Sequence, residues 1–274
     1  MKIIKTKLHI GVAKPFEILH ISDTHLTYAD IRDGERKVKL AENRKIGFQH
    51  SEEVLETVTK KASEMGTTII CTGDLIDFVS IANLERAKQF TEDNDCFMAA
   101  GNHEFSLYVG EAKEDADYRN QSLDKVQAVF KNDIRCSSRV IGGVNFVALD
   151  NGYYLFEEEQ LAFLKNEVEK GFPIILLMHT PFYEKKLYDE MMTIHPCAYL
   201  IDVPEELMKN YPKDRYEQQK SDEITRKMVE YIKSQPLIRA NICGHIHFNY
   251  EGIALENLPQ YTTSCTDIRL FEIF

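Results

Sequence analysis

A buried strand that ends abruptly at a potential metal ligand is the feature that most restricts how this chain can fold. Residues 67–72 read TTIICT, which is β-branched and apolar on both faces, as is typical of a strand inside a parallel sheet. The strand ends at Gly73, where glycine allows the chain to turn outward, and the next side chain is the carboxylate of Asp74. The segment therefore predicts a central strand that delivers Asp74, and Asp77 three residues later, to the edge of a sheet.

This combination of an apolar strand and potential ligands occurs four more times along the chain. The strands are residues 16–22, 96–100, 174–178 and 238–243, and the side chains that follow them are Asp23, His25, Asn102, His103, Glu104, His179, His245 and His247. Ligands of open α/β sheets bind outside the carboxyl ends of the strands. Five strands of this kind therefore predict a single site where these side chains meet. The histidines outside these blocks are expected to be ordinary surface or core residues; they are His9, His20, His50 and His195.

The spacing of apolar residues predicts the other elements of an α/β fold. Helices are predicted after Ser51, which we expect to be an N-cap, and over residues 83–92, 122–131, 157–170 and 222–235. Residues 3–10 predict a half-exposed edge strand, and residues 140–149, with a central Gly-Gly pair, predict a hairpin that begins a second sheet. We expect the tail segments 249–253, 260–263 and 268–274 to complete the second sheet as antiparallel strands.

Three stretches without a clear period follow directly on ligand blocks. Residues 27–48 carry many charges of both signs, and we interpret them as a solvated surface loop in preference to a substrate-binding one. Residues 105–121 are polar and irregular. Residues 181–221 form the longest of these stretches and contain five tyrosines. We expect this segment to be a cap beside the site, with its tyrosines serving in packing more often than in substrate contact.

Length, charge and cysteine usage limit the classes of protein to which this chain can belong. Its 274 residues, 43% of them hydrophobic, favour one domain over residues 1–274. The formal net charge of −11 disfavours nucleic acid as a partner, but it allows a small phosphorylated substrate because metal cations supply local positive charge. The six cysteines form no C-x-x-C pair, and no signal-peptide pattern or apolar run of about 20 residues is present. We therefore expect a cytoplasmic protein that does not enter the membrane, and its oligomeric state stays open.

The ordered set of ligand blocks resembles the motif set of the calcineurin-like metallophosphoesterases over about residues 16–250. The resemblance implies a four-layer α/β/β/α sandwich of two mixed β-sheets flanked by helices, with a dinuclear metal site at the C-terminal ends of the strands. Within that family the motifs are most similar to those of the bacterial cyclic-nucleotide and glycerophosphodiester phosphodiesterases, from whose usual pattern the chain departs at Glu104 and Thr180. The implied activity is metal-dependent hydrolysis of a small phosphomonoester or phosphodiester.

The donor chemistry agrees with this resemblance, because imidazole, carboxylate and amide oxygen without thiolate suit Mn, Fe, Zn or Co. The family pattern assigns Asp74 to bridge two divalent ions. One ion would be bound by Asp23, His25, Asp74 and His247, and the other by Asp74, Asn102, His179 and His245. The resemblance also implies attack by a metal-bridging hydroxide, with His103 as the general acid and Asp77 holding His103 charged and oriented. Glu104 is expected to support the ligands instead of binding metal.

Two other functions stay open at this point. A nuclease of the same family is disfavoured by the acidic net charge and the lack of a basic stripe. A non-catalytic interaction module on this fold is disfavoured by the complete set of potential ligands. A protein phosphatase is disfavoured as well, because the arginine-bearing blocks expected after Asp77 and Glu104 are absent: Phe78 and Phe105 stand there.

Overall fold

Two mixed β-sheets lie face to face at the centre of the molecule. The structure, a computed structural model, describes residues 1–110 and 115–274. In these residues the strands are β1 (Ile3–Leu8), β2 (Phe16–Ile21), β3 (Ile69–Cys71), β4 (Cys96–Met98), β5 (Cys136–Ile141), β6 (Val144–Leu149), β7 (Ile174–Leu177), β8 (Ile238–Cys243), β9 (Tyr250–Ala254), β10 (Leu258–Thr262) and β11 (Ile268–Ile273). The first sheet has the order β1-β11-β2-β3-β4, and the second has the order β5-β6-β7-β8-β10-β9.

Helices cover the outer face of each sheet. Over the described ranges they are α1 (Glu35–Lys45), α2 (Ser51–Met65), α3 (Ile81–Asp93), α4 (Ala116–Asn120), α5 (Leu123–Gln127), α6 (Glu158–Glu169), α7 (Lys185–Ile194), α8 (Lys213–Gln219) and α9 (Glu223–Ser234). The apolar sides of α2 and α3 pack on the first sheet, and those of α6 and α9 pack on the second. A further apolar cluster that includes Ile18 and Phe146 fills the space between the sheets. The predicted sandwich of two mixed sheets flanked by helices is confirmed.

The ligand-bearing part of the first sheet is a regular β-α-β-α-β run. β2, β3 and β4 are parallel neighbours, connected in turn by α2 and α3. Helix α2 ends at Gly66, whose φ of 62° lets the chain turn back toward β3. The expected N-cap, Ser51, is instead the first helical residue, and its hydroxyl donates to the carbonyl of Phe48 at 2.9 Å. β1 is an edge strand, as predicted.

The prediction that the tail strands complete the second sheet as antiparallel strands is correct for β9, wrong for the direction of β10 against β8, and wrong for the sheet of β11. β9 pairs antiparallel with β10 in the second sheet, and β10 pairs with β8 in parallel. β11 lies in the first sheet, parallel to β1 and antiparallel to β2. Its Leu270 packs on the helical side of that sheet and its Phe271 packs between the two sheets. A strand buried on both faces needs a neighbour at each edge to satisfy its backbone, and its own sequence does not identify those neighbours.

The interpretation of residues 27–48 as a loop is also wrong. The segment contains a short 3₁₀ turn followed by helix α1. Because α1 buries only Ala41, it has no apolar stripe from which a helix could be predicted. Its charges nevertheless suit a helix, since Glu35 lies in the first turn and Arg44 in the last, where each interacts favourably with the helix dipole.

Residues 181–221, called the cap from here on, are more regular than the sequence predicts. The cap contains α7 and α8, which pack around a small apolar cluster. All five tyrosines of the cap belong to this cluster or contact it, in agreement with the expected packing role. The cluster also includes Ile246 and Tyr250, so it attaches the cap to the second sheet and to the loop that carries the last ligand block.

Residues 105–121 are described only in part, because residues 111–114 lie outside the described ranges. The rest of it contains the end of a 3₁₀ turn, His103–Phe105, and helix α4. The next helix, predicted over residues 122–131, is limited to α5. Among the described residues, none of the helices combines the length and hydrophobicity that a membrane-spanning segment requires.

Candidate metal centre

The predicted ligand blocks meet where five strands end. Strands β2, β3 and β4 of the first sheet and β7 and β8 of the second run into them, and backbone hydrogen bonds join neighbouring ends, such as Gly244 N–H to the His179 carbonyl at 2.9 Å. Potential ligand atoms lie within 4.8 Å of one another in three groups: Asp23, His25 and His247; His25, Asp74 and His103; and Asp74, His179 and His245. The structure therefore brings the predicted side chains together in one place.

The backbone at this place adopts a conformation that most side chains avoid. Five of the potential ligands have a positive φ, namely Asp23 (57°), His25 (48°), Asp74 (53°), His245 (70°) and His247 (59°). Left-handed backbone costs about 1–2 kcal/mol for a residue with a side chain, and it persists where the surrounding structure enforces it, often at functional sites. Gly73 allows the strand ends to approach, because a Cβ there would lie 2.8 Å from Nδ1 of His179.

Asp23, His25 and His247 form the first group. Nε2 of His247 lies 3.1 Å from Nε2 of His25 and 3.5 Å from Oδ1 of Asp23. The other ring nitrogen of His25, Nδ1, lies 2.9 Å from Oδ1 of Asp77. A proton on Nδ1 that is shared with this carboxylate leaves the lone pair of Nε2 facing the group, and that is the tautomer that binds metal.

On the other side of Asp74 lie Asn102, His179 and His245, which we call the second group from here on. Nε2 of His179 lies 3.1 Å from Nδ1 of His245 and 3.2 Å from Oδ1 of Asn102. Nδ1 of His179 donates to the carbonyl of Thr72 at 2.8 Å, so the lone pair of Nε2 again faces the group. Nε2 of His245 contacts the hydroxyl of Tyr154 at 3.0 Å, which leaves Nδ1 as the nitrogen directed at the group.

Asp74 lies between the two groups. Its Oδ2 is 3.6 Å from Nε2 of His25 and 3.2 Å from Nε2 of His179. One carboxylate thus faces imidazole nitrogens on both sides, which is the arrangement that a pair of divalent ions sharing a ligand requires. The surrounding donors are nitrogen and oxygen atoms without thiolate, and their chemistry fits Zn, Fe, Mn or Co.

Nearby histidines keep the two buried carboxylates, Asp23 and Asp74, ionised. Burial alone would raise the pKa of Asp23 and Asp74, but nearby histidines, above all His179, lower both values below the usual range. The two carboxylates in turn overcome the effect of burial on His179 and raise its pKa to about 10. Burial and the neighbouring His179 lower the pKa of His245 to about 3. The two ionised carboxylates therefore favour positive charge beside them, either as a proton on His179 or as a bound cation.

Asp77 connects the first group to His103 and to an arginine. Its Oδ1 lies 3.2 Å from Nδ1 of His103, and its backbone carbonyl lies 2.8 Å from the same nitrogen. Burial would lower the pKa of His103, but Asp74 and Asp77 raise it to about 9. Arg44 donates to the Asp77 carboxylate from Nε at 2.6 Å and from Nη2 at 2.8 Å. The sequence did not identify Arg44, because it belongs to the segment interpreted as a loop.

Two buried polar residues hold the ligand backbone in place. The carboxylate of Glu104 accepts the backbone N–H of Asp74 at 2.7 Å, and burial together with Asp74 raises the pKa of Glu104 to about 7. Oδ1 of Asn151 accepts the N–H groups of His179 and Thr180, both at 2.9 Å. Asn151 was missed from the sequence, although it lies two residues after the end of β6 and so matches the strand-then-polar pattern of the other blocks.

A cavity of about 380 Å³ opens beside these groups. The residues around it include the potential ligands Asp74, Asn102, His245 and His247, the side chain of His103, and Met191, His195, Tyr199 and Arg215 from the cap. Of the four histidines expected to be ordinary surface or core residues, His195 is exposed and also lines this cavity. Of the others, His20 is buried between the hydroxyls of Thr72 and Thr263, and His9 and His50 are exposed.

Comparison with known proteins identifies the relatives of this chain. Residues 16–249 match the family described as calcineurin-like phosphoesterase. No curated protein matches the chain. Similar solved structures include a dimetal phosphatase from Danio rerio, 15% identical over 92% of this chain and 88% of that chain with a TM-score of 0.49. They also include the phosphopantetheinyl hydrolase PptH from Mycobacterium tuberculosis, 11% identical over 91% and 89% with a TM-score of 0.49.

A third similar structure is the NAD nucleotidase NadN from Haemophilus influenzae. It is 12% identical to this chain, with 92% of this chain and 45% of that chain covered and a TM-score of 0.45. The chain therefore spans less than half the length of the Haemophilus protein.

Proposed function

The chain belongs to the calcineurin-like phosphoesterase family and is a metal-dependent hydrolase, and from this premise we propose that it hydrolyses a small phosphomonoester or phosphodiester at the groups around Asp74. The observation that carries this proposal is the position of Asp74. Its Oδ2 lies within 3.6 Å of Nε2 of His25 and within 3.2 Å of Nε2 of His179. A single carboxylate oriented in this way suits two ions bound side by side.

We assign the side chains to two ions as follows. Asp23, His25, Asp74 and His247 would hold one ion, and Asp74, Asn102, His179 and His245 would hold the other. When bound, such ions neutralise the charge of the phosphoryl oxygens and lower the pKa of water to about 7, so that no serine or cysteine nucleophile is needed. Asp77, Thr72 and Tyr154 orient the three imidazoles that they contact.

His103 acts as the proton donor to the leaving group. Its Nδ1 is occupied by the carboxylate and carbonyl of Asp77, so its other ring nitrogen is the one left for substrate. His103 lies at the cavity, with a side chain that is 19% exposed, and its pKa of about 9 keeps it protonated at neutral pH. An imidazolium there stabilises the charge that develops on the departing oxygen.

The cavity and the charge of the chain favour a small substrate. A volume of about 380 Å³ is at the lower end of the range for small-molecule sites, and the net charge of −11 disfavours a nucleic-acid polymer. The cap contributes to the cavity, and we propose that it acts as part of a single domain over residues 1–274. We further propose a cytoplasmic location, which is supported by six cysteines that are all unpaired.

The test is a screen with p-nitrophenyl phosphate, its bis ester and a panel of nucleotides. We expect turnover to disappear after dialysis against a chelator and to return with Mn²⁺, Co²⁺ or Zn²⁺, because the proposed reaction uses no protein nucleophile and depends on water activated by the ions. Undiminished turnover in protein shown to be metal-free by elemental analysis would contradict the proposed two-ion site.

A further inference from the structure

We propose that residues 150–154, called the β6 loop from here on because they follow strand β6, selectively position the ligands of one of the two ions. The loop contacts each of the three residues of the second group: Asn102, His179 and His245. This inference rests on the proposed two-ion site and deepens it, because it identifies residues that decide whether the second position is filled.

Asn151 of the β6 loop fixes the backbone from which His179 projects. Its Oδ1 accepts the N–H groups of His179 and Thr180, both at 2.9 Å, and its Nδ2 donates to the carbonyl of Thr180 at 2.8 Å. Asn151 is buried, so water does not compete for these hydrogen bonds. The chain that leaves strand β7 is therefore held in one position by a single side chain.

Two other residues of the β6 loop reach Asn102 and His245. Gly152 packs directly on Asn102, because a Cβ at residue 152 would lie 2.7 Å from the backbone nitrogen of Asn102. The hydroxyl of Tyr154 lies 3.0 Å from Nε2 of His245. Tyr154 has a φ of 69°, a left-handed conformation that is uncommon for an aromatic residue and persists where the surrounding structure enforces it. One short loop therefore meets every residue of the second group.

The β6 loop is anchored by residues that are not proposed ligands. Oδ2 of the buried Asp150 lies 3.3 Å from Nη1 of Arg119 and 3.3 Å from Nε of Arg135. The backbone carbonyl of Asp150 accepts Nε2 of Gln160 at 2.6 Å, and its N–H donates to the carbonyl of Arg135 at 2.7 Å. These contacts fix the loop independently of a bound ion, so it can hold the ligands in position before the ion binds.

A different segment of the chain supports the first group. The ring of Phe48 stacks on the ring of His25, with the ring centres 4.1 Å apart and an angle of 22° between the planes, and it meets the ring of His247 at 5.9 Å. Oγ of Ser51 donates to the carbonyl of His25 at 3.2 Å. Because the two groups are supported by separate segments, a change in the β6 loop should weaken the binding of one ion and spare the other.

Histidine NMR with buffered Zn²⁺ observes the two groups separately. Protein with isotope-labelled histidine is equilibrated with Zn²⁺ that a chelator buffers over a range of free concentrations. The ring signals of His25 and His247 report on the first group, and those of His179 and His245 report on the second. The free Zn²⁺ concentration at half-response is measured for each pair of histidines.

Two small changes in the β6 loop test its role. Tyr154→Phe removes only the hydroxyl that contacts His245, and Gly152→Ala adds a Cβ against Asn102. In both variants we expect the second pair of histidines to need about tenfold or more free Zn²⁺, the usual effect of losing a support behind a ligand, and the first pair to change less than about twofold. Tyr153→Phe removes the same hydroxyl from the neighbouring residue, whose ring packs 6.4 Å from that of Phe105, and should behave as wild type.

Turnover separates this inference from the function on which it rests. If the variants shift only the second pair of histidines but wild-type protein hydrolyses no phosphoester with any metal, the proposed function fails and the role of the β6 loop stands. If phosphoesters are hydrolysed and both variants shift all four histidines equally, or shift none of them, the proposed function stands and the role of the loop is overturned. Wild-type histidines that do not respond to Zn²⁺ would overturn both.

Discussion

Asp74 and His103 are in contact, yet the surroundings of each favour a different role. The backbone N–H of His103 donates to Oδ1 of Asp74 at 2.8 Å, so Oδ1 helps to position the residue that follows Asn102. The other oxygen of Asp74 faces imidazoles of both ligand groups. His103 instead turns Nδ1 toward Asp77, away from the role of ligand. Substitutions at Asp74 and at His103 can therefore test the two roles separately.

Asp74→Asn and His103→Ala should lose activity for different reasons. Asp74→Asn keeps the shape but removes the shared negative charge, so we expect it to lose metal and activity together. His103→Ala should keep both metals and lose roughly 10²–10⁴ in rate, the usual contribution of a positioned proton donor. The measurements are metal content by elemental analysis and kcat with phenyl phosphate.

Two further comparisons make this prediction specific. The defect of His103→Ala should be smaller with p-nitrophenyl phosphate than with phenyl phosphate, because a better leaving group needs less help from an acid. His50→Ala removes an exposed histidine whose side chain contacts Glu53, and it should behave as wild type. A His103→Ala protein that contains no metal after purification would show that His103 is a metal ligand.

At the scale of elements, local patterns could be predicted and partners across the molecule could not. The strands before the ligand blocks are buried on both faces, and their sequences are apolar for that reason. Each ligand block follows its strand directly, so the strand and the position of its ligands can both be predicted from residues that are close in sequence. Strand β11 has the same apolar character, but its place between β1 and β2 depends on partners 240 or more residues away in the chain. The sequence of helix α1 has no apolar stripe, because polar and charged side chains attach this helix to the rest of the molecule.

Helix α1 is attached through its charged side chains. Arg44 makes two hydrogen bonds with Asp77, Lys37 donates to the carbonyl of Val79, and the guanidinium of Arg36 lies 3.9 Å from the centre of the Tyr108 ring. These contacts explain why a segment that looked solvated reaches the site. They also explain why Arg44 was missed: the partner that reveals its role, Asp77, is 33 residues away in sequence.

Arg44→Ala should loosen α1 without unfolding the protein. We expect the free energy of unfolding to fall by about 1–2 kcal/mol, the scale of hydrogen bonds to a charged group that is partly exposed to solvent. Backbone amides of α1 should exchange with deuterium faster, while those of α2 stay unchanged. Lys45→Ala, at the next and exposed position of the same helix, is the control. Identical exchange in both variants would show that the Arg44 contact does not hold α1 in place.

At the scale of the whole molecule, the proposed ligands come from both sheets. Asp23, His25, Asp74 and Asn102 follow strands of the first sheet, whereas His179, His245 and His247 follow strands of the second. The sheets are also joined by the apolar cluster between them and by hydrogen bonds such as that from Arg269 to the Thr262 carbonyl. Cations bound at this edge would link the sheets through seven side chains. Binding that requires the folded arrangement of both sheets stabilises the molecule as a whole.

Metal should therefore raise the thermal stability of the entire chain. With Mn²⁺ at about 100 times its Kd, the folded state gains about 2.7 kcal/mol, which for a chain of this size raises Tm by roughly 5–10 °C. Calorimetric unfolding with Mn²⁺, and again after a chelator is added, measures this difference. His103→Ala should keep the metal-dependent rise, because its ligands are intact, and Asp74→Asn should lose it, because both groups of ligands share that carboxylate. A wild-type Tm that is the same with and without metal would mean that the site does not join the sheets, whatever its role in catalysis.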